Sequence, residues 1–325
     1  MMKRPPLDSP TGTRVVGTYA MDDGNNEHRQ TLITSIMRSG LCTGLEIPFL
    51  SAQYGDCAWL WPLLPADSRH VFTMVTATME RIGSNPEFGL ASTNAQGRRE
   101  ALTMMRHVAE TIYWLHSSSP LTIAAVEIHS APSGGSIEAL YESMATMVQW
   151  DWAGAALVIE HCDAAVPNHK AVKGFLPLHE EVRLIDELRA TTATTLALTV
   201  NWARSAIELR DPDAVPEHIR YCDERGVLGG LMYSGTSAIS GPYGSAWSDT
   251  HAPMQAEQRF GEPTSALTNE RLSLTRRAVN NPLLYDGVKM AIRPDDAPLE
   301  RRYAYLEYAL RGLQTASALR KEHKE

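Results

Sequence analysis

Acidic and imidazole side chains stand directly behind short apolar runs at two places in this 325-residue chain, and both arrangements suit metal binding or proton transfer. In ALVIEHCDA, four apolar residues lead to Glu160, with His161 and Asp163 just behind it. A carboxylate at the end of an apolar run is costly to bury unless a hydrogen bond, a cation or a metal ion meets it. Glu160 is therefore a candidate catalytic residue and metal ligand, with a structural ion pair as the alternative.

Glu127 and His129 in VEIHSAP are two residues apart, so on a strand they share a face, with His129 nearer the strand end. His129 suits a metal ligand or a general acid/base, because imidazole titrates near neutrality, and Glu127 suits a base. A satisfied strand-end histidine is the structural alternative. In VNWARSAIE, Asn201 and Arg204 are candidates for substrate binding, an amide for a polyol and a guanidinium for a phosphate or carboxylate. Arg204 equally fits the surface of a following helix. In YGSAWSDTHAP, Asp249 and His251 have the chemistry of metal ligands, and Trp247 could stack on a sugar ring or pin a loop closed. Glu46 in GLEIPF, Lys173 in HKAVKGF and Lys289 in VKMAI complete the substrate-binding candidates. Their alternatives are a structural ion pair or, for Lys173, a solvated surface position.

Eight short apolar runs are candidate strands to carry these residues: 14–19, 43–49, 70–77, 121–129, 156–160, 195–201, 227–233 and 288–292. Several lack the alternation of a half-wetted strand, as parallel strands covered on both faces do. Helical periodicity falls at 28–38, 98–116, 136–148, 178–188, 216–225, 268–279 and 299–318, while Pro62 and Pro65 limit any helix over 53–66. Strand and helix alternate throughout with no Pro-, Gly- or Ser-rich linker. That favours a single-domain, closed (β/α)₈ TIM barrel over residues 1–325, with an open doubly wound sheet as the alternative. The connection after the seventh strand is long enough to act as a lid or binding loop. No GxGxxG follows the first strand and Walker A spacing is absent, so nucleotide binding has no local support.

The chain is 43% hydrophobic and carries 30 Lys and Arg against 38 Asp and Glu, a net charge of −8. Such a composition excludes a disordered chain and removes the diffuse positive field on which non-specific nucleic-acid binding depends. Four scattered cysteines without a CxxC pair read as reduced thiols. No segment reaches the ~20 apolar residues of a membrane span, and the N-terminus lacks the apolar stretch of a secretory signal. A cytoplasmic protein with a small-molecule partner, and neither nucleic acid nor membrane as partner, is expected. Apolar surface at Trp59, Trp61 and Trp114 is compatible with a homodimer.

GLEIPF at strand two, IHSAP at strand four, VIEHCD at strand five and the eightfold alternation together resemble the sugar-phosphate isomerase/epimerase superfamily of xylose-isomerase-like barrels, in an uncharacterised bacterial branch. The resemblance implies a divalent cation (Mn, Zn or Mg) at the strand ends and movement of protons or hydride between adjacent carbons of a carbohydrate or sugar acid. It also implies that Glu160 is a metal-binding glutamate. The remaining ligands of that family are replaced: Asn201 stands for an Asp, Tyr233 and Ser234 for a His, and Lys289 for a glutamate. Either His129, Glu160, Asp249 and His251 build a different metal site, or the metal is lost. An isomerase or epimerase is the leading expectation. A lyase or hydrolase on the same barrel, and a non-catalytic sugar or metabolite binder, are the alternatives.

Overall fold

The computed structural model describes residues 13–49 and 59–322. Eight parallel strands close into one barrel in sequence order: β1 (Arg14–Gly17), β2 (Gly44–Pro48), β3 (Arg69–Thr73), β4 (Thr122–Ile128), β5 (Ala156–His161), β6 (Leu196–Asn201), β7 (Leu228–Tyr233) and β8 (Tyr285–Lys289). Pairing of β1 with β8, Val16 opposite Val288, completes the ring and excludes the open sheet. Around it run α1 (Asn26–Arg38), α2 (Val75–Ser84), α3 (Ala95–Ser118), α4 (Ile137–Met147), α5 (Leu178–Arg189), α6 (Trp202–Leu209), α7 (Val215–Glu224), α8 (Asn269–Arg277) and α9 (Leu299–Glu322).

Strand geometry sends alternate side chains to opposite faces, and both faces here are covered. One set, including Leu45, Phe72, Val126, Ile159, Leu198 and Val288, packs in the main core. The other fills the barrel interior, where Val15, Val71, Ala125, Val158, Ala197, Met232 and Tyr285 form a separate apolar cluster. Two residues further along the same strands, that inward series turns polar at Glu127, Glu160 and Thr199, and on β8, four residues beyond Tyr285 and past Gly287, at Lys289. Thus the carboxyl-end half of the interior is a chamber filled by buried polar side chains and built on an apolar floor.

Three elements differ from the sequence reading. Strand eight runs over Tyr285–Lys289 rather than 288–292. Its first turn of sequence, YDG, carries no apolar run, yet Asp286 is buried because Arg14 Nε donates to it at 2.9 Å. The third strand stops at Thr73, and α2 begins where the apolar run was read as continuing. The strand-six motif turns directly into α6, so Arg204 lies in that helix's first turn and is buried within the barrel mouth, not on a helix surface. Of segment 53–66, residues 53–58 lie outside the described residues, and Trp61–Leu63 form a short 3-10 turn. Trp59 and Trp61 pack against the core, whereas Trp114 is 53% exposed. The connection from β7 to α8 spans 234–268 and folds over the carboxyl ends of the strands, held by an isolated bridge between Gly235 and Ala252.

Candidate active site

Glu160 is the hub of the chamber. Its fully buried carboxylate lies 2.9 Å from His129 Nε2, accepts from Asn201 Nδ2 at 3.0 Å and from Lys289 Nζ at 3.4 Å, and has Arg204 Nη1 at 2.5 Å. Desolvation alone would raise its pKa, but the Arg204 and Lys289 cations outweigh that and hold it well below the usual carboxylate range. Ser234 Oγ in turn donates to Asn201 Oδ1 at 3.1 Å, which fixes the amide so that its NH₂ faces Glu160. Burial lowers the His129 pKa to about 4, so the ring is neutral near pH 7. With Nε2–H donated to Glu160, Nδ1 is a buried lone pair without a partner.

Glu46 and Glu127 face the opposite pressure. Both are buried, and desolvation together with the neighbouring carboxylates raises each pKa, that of Glu127 strongly. Lys289 Nζ donates to Glu46 Oε1 at 2.7 Å, Tyr19 OH donates to the same oxygen at 3.3 Å, and Tyr285 OH donates to Glu127 Oε1 at 2.7 Å. Glu46 Oε2 and Glu127 Oε2 have no donor, a deficit that a proton held between the two carboxyls or a bound cation would remove. A Cβ at Gly17 would come to 2.4 Å from Glu46 Oε2, so any larger residue there would displace that carboxylate.

The loops bring a second layer of charge to the mouth. Asp163 accepts from the backbone N–H groups of Val172 (2.6 Å) and Lys173 (3.0 Å), which turns the loop after β5 inward. Lys173 then pairs with Asp249, so it is a buried bridge between the two loops rather than a solvated lysine. Asp249 also takes Arg204 Nε at 3.2 Å and has His251 Nδ1 at 3.5 Å. Burial opposes its ionisation, but Lys173 and Arg204 prevail and hold it ionised. Trp247 lies under the Arg210 guanidinium, 5.3 Å from its ring centroid, on the outer side of this loop network.

Glu127, His129, Glu160, Glu46, Asn201, Arg204 and Lys289 are therefore gathered in one chamber, Asp249, His251 and Lys173 at its mouth, and Trp247 at its rim. Tyr19, Thr199, Ser234 and Tyr285 complete it. Tyr19 closes the first apolar run, a position where its role was open to reading; Tyr285 sits in the strand start that the pattern hides.

Two groups of ligand-type side chains among the described residues could hold a divalent ion: Glu46, Glu127 and Glu160, and His161, Glu208 and His218. The carboxylate group fits such an ion in that two of its oxygens lack donors, while the Lys289 ammonium is the cation that now serves it.

The profile of a family described as a domain of unknown function, DUF4862, matches residues 15–305. The chain belongs to this family. A curated relative, the uncharacterised protein STM3670 of Salmonella typhimurium, is 31% identical over 84% of this chain and 86% of its own length. Among solved structures, D-psicose 3-epimerase in the presence of D-fructose matches with a TM-score of 0.59 at 12% identity, covering 94% of this chain and 99% of that one. A putative xylose isomerase from Rhodospirillum rubrum matches with a TM-score of 0.60 at 11% identity, covering 93% and 98%. The two solved structures show that this DUF4862 chain shares their fold, the closed eight-stranded α/β barrel. No helix among its described residues is long and apolar enough to cross a membrane.

Proposed function

We propose that this DUF4862 protein is an isomerase or epimerase that moves a proton between carbons of a carbohydrate or sugar acid. The observation that carries this reading is the opposed state of three neighbouring carboxyls: Glu160 held ionised, Glu46 and Glu127 held toward the protonated form. Such divergence is the pattern by which one site divides acid and base work, here between the proton-holding Glu46–Glu127 pair and His129 backed by the ionised Glu160. Buried atoms without hydrogen-bond partners around the chamber, among them Glu46 Oε2, Glu127 Oε2, His129 Nδ1 and Arg204 Nη2, are the complement of a ligand rich in hydroxyls.

On this reading His129 Nδ1 accepts the proton from the carbon beside the carbonyl, and the Glu160 carboxylate stabilises the imidazolium formed. The Glu46–Glu127 pair delivers a proton to the neighbouring carbon or to the other face. Lys289 and Tyr19 are placed to stabilise the developing enediolate oxygen. Arg204, with Lys173 and Asp249, orients the polar end of the substrate. With that proton displaced, Glu46, Glu127 and Glu160 would instead hold a divalent ion, whose all-oxygen donor set suits Mg²⁺ or Mn²⁺ better than Zn²⁺, and which when bound would polarise the carbonyl in place of the Glu46–Glu127 proton. The buried free thiols of Cys42, Cys162 and Cys222 support a reducing, cytoplasmic setting.

Incubation with a panel of ketoses and hexuronic acids in D₂O, followed by ¹H NMR, tests this. The expected result is isomer formation with solvent deuterium at the reacting carbon, lost in His129→Gln and Glu127→Gln. Isomer formed without deuterium, or loss of water from the substrate instead, would contradict it.

A further inference from the structure

We propose that His161, Glu208 and His218 form a second divalent-ion site, outside the barrel chamber, that selects a zinc-like ion and staples α6 and α7 to the end of β5. His161 is the last residue of β5, and because Glu160 points inward its imidazole points out toward the helices. There its Nε2 lies 3.0 Å from Glu208 Oε2, and His218 Nε2 lies 3.8 Å from Glu208 Oε1. The three donor atoms are all within 4.8 Å of one another. A tetrahedral ion bound at roughly 2.0–2.1 Å places its donors about 3.3 Å apart, and the two distances to the Glu208 oxygens, 3.0 and 3.8 Å, lie on either side of that value.

The outer groups are arranged for the same end. The other nitrogen of each histidine already has its own partner: His161 Nδ1 lies 2.7 Å from Glu181 Oε2, and His218 Nδ1 lies 3.1 Å from Ser205 Oγ. Both Nε2 atoms are thereby directed at Glu208, the orientation that outer-shell carboxylates and hydroxyls impose on metal-binding imidazoles. Glu181 is itself held by Ser130 Oγ at 2.5 Å, and Glu208 by the Ala164 N–H at 2.8 Å. A doubly charged ion with two neutral imidazoles is balanced by Glu208 and Glu181. A proton on His161 Nε2 and an ion are alternative occupants of the same place. The His161 side chain is fully buried, but those of His218 and Glu208 are 13% and 10% exposed, which leaves the helix side open for an ion and a water as fourth ligand. Two nitrogens and one carboxylate suit Zn²⁺ or Co²⁺, unlike the all-oxygen group inside the barrel.

Chelator-treated full-length protein titrated with Co²⁺ and Zn²⁺, read by visible absorption and calorimetry, tests the assignment. One equivalent should bind with tetrahedral cobalt bands in wild type and in Glu160→Gln, resist excess Mg²⁺ and raise the melting temperature. His218→Ala and Glu208→Gln should weaken Zn²⁺ at least about 100-fold while circular dichroism stays unchanged. Wild-type protein that takes up no Zn²⁺, or variants that bind it as wild type does, would overturn the site. Should either variant fail to fold, X-ray absorption on zinc-loaded wild type decides: a first shell with two imidazoles is expected, and one lacking them refutes it.

Discussion

Glu160 meets two buried cations and two neutral donors, so its removal is felt twice. Glu160→Gln leaves Arg204 and Lys289 buried with less compensating charge, and breaking such a pair costs about 3–5 kcal/mol. Thermal denaturation should report a melting point lower by several degrees, and an unchanged one would contradict the hub role. Glu127→Gln should behave differently. It replaces a carboxyl that burial and the neighbouring carboxylates push toward the protonated form by an isosteric amide, so stability should hold within ~1 kcal/mol while turnover falls ~10²–10⁴-fold. A parallel loss of stability and activity would argue that Glu127 is structural. Glu160 and His129 were legible in the sequence because each ends an apolar run. The partnership of Glu46 with Lys289 was not, since the two stand 243 positions apart and only barrel closure brings them together.

At the scale of elements, the interior depends on glycines of β7 as much as on the large side chains they face. A Cβ at Gly230 would come to 2.2 Å from Thr199 Oγ1 and 2.6 Å from Tyr285 Cζ. Gly230→Ala should therefore displace Tyr285 and with it the hydrogen bond to Glu127, destabilising the protein by about 1–3 kcal/mol, as overpacking does. Tyr285→Phe keeps the volume and loses only the hydroxyl. Chemical denaturation should rank Gly230→Ala as the more damaging change; the reverse order would mean that the hydrogen bonds, not the packing, set the barrel floor. The eight strands themselves were legible as apolar runs, but the start of β8 was hidden. Tyr285–Asp286–Gly287 reads as a turn until Arg14 on β1 is seen to neutralise Asp286. Likewise α6 follows β6 with no intervening loop to mark it.

Over the whole molecule, buried histidines set how stability varies with pH. Burial lowers the pKa of His70, His129 and His218 to about 4, whereas the unfolded chain takes up their protons below about 6.5. Their contribution is present above that value and is lost as pH falls from about 6.5 toward 4. His161 runs the other way. Desolvation lowers its pKa, but Glu181 and Glu208 prevail and raise it to about 10, so its contribution is full below about 6.5 and is lost as pH rises toward 10. His70→Gln can accept from Leu45 N–H and donate to Ser68 Oγ as His70 does, and should flatten the acid limb. Melting temperatures from pH 4 to 7 that retain the wild-type slope in this variant would remove His70 from the account.

One chamber holds carboxyls whose surroundings push their protonation in opposite directions, and ¹³C NMR of protein labelled at the glutamate carboxyl carbon reads this directly. With resonances assigned from Glu46→Gln, Glu127→Gln and Glu160→Gln, a titration should find Glu160 ionised across the stable range. Glu127 and Glu46 should both titrate above the usual carboxylate value, Glu127 the further of the two. Three carboxyls ionising together near pH 4.5 would contradict the account.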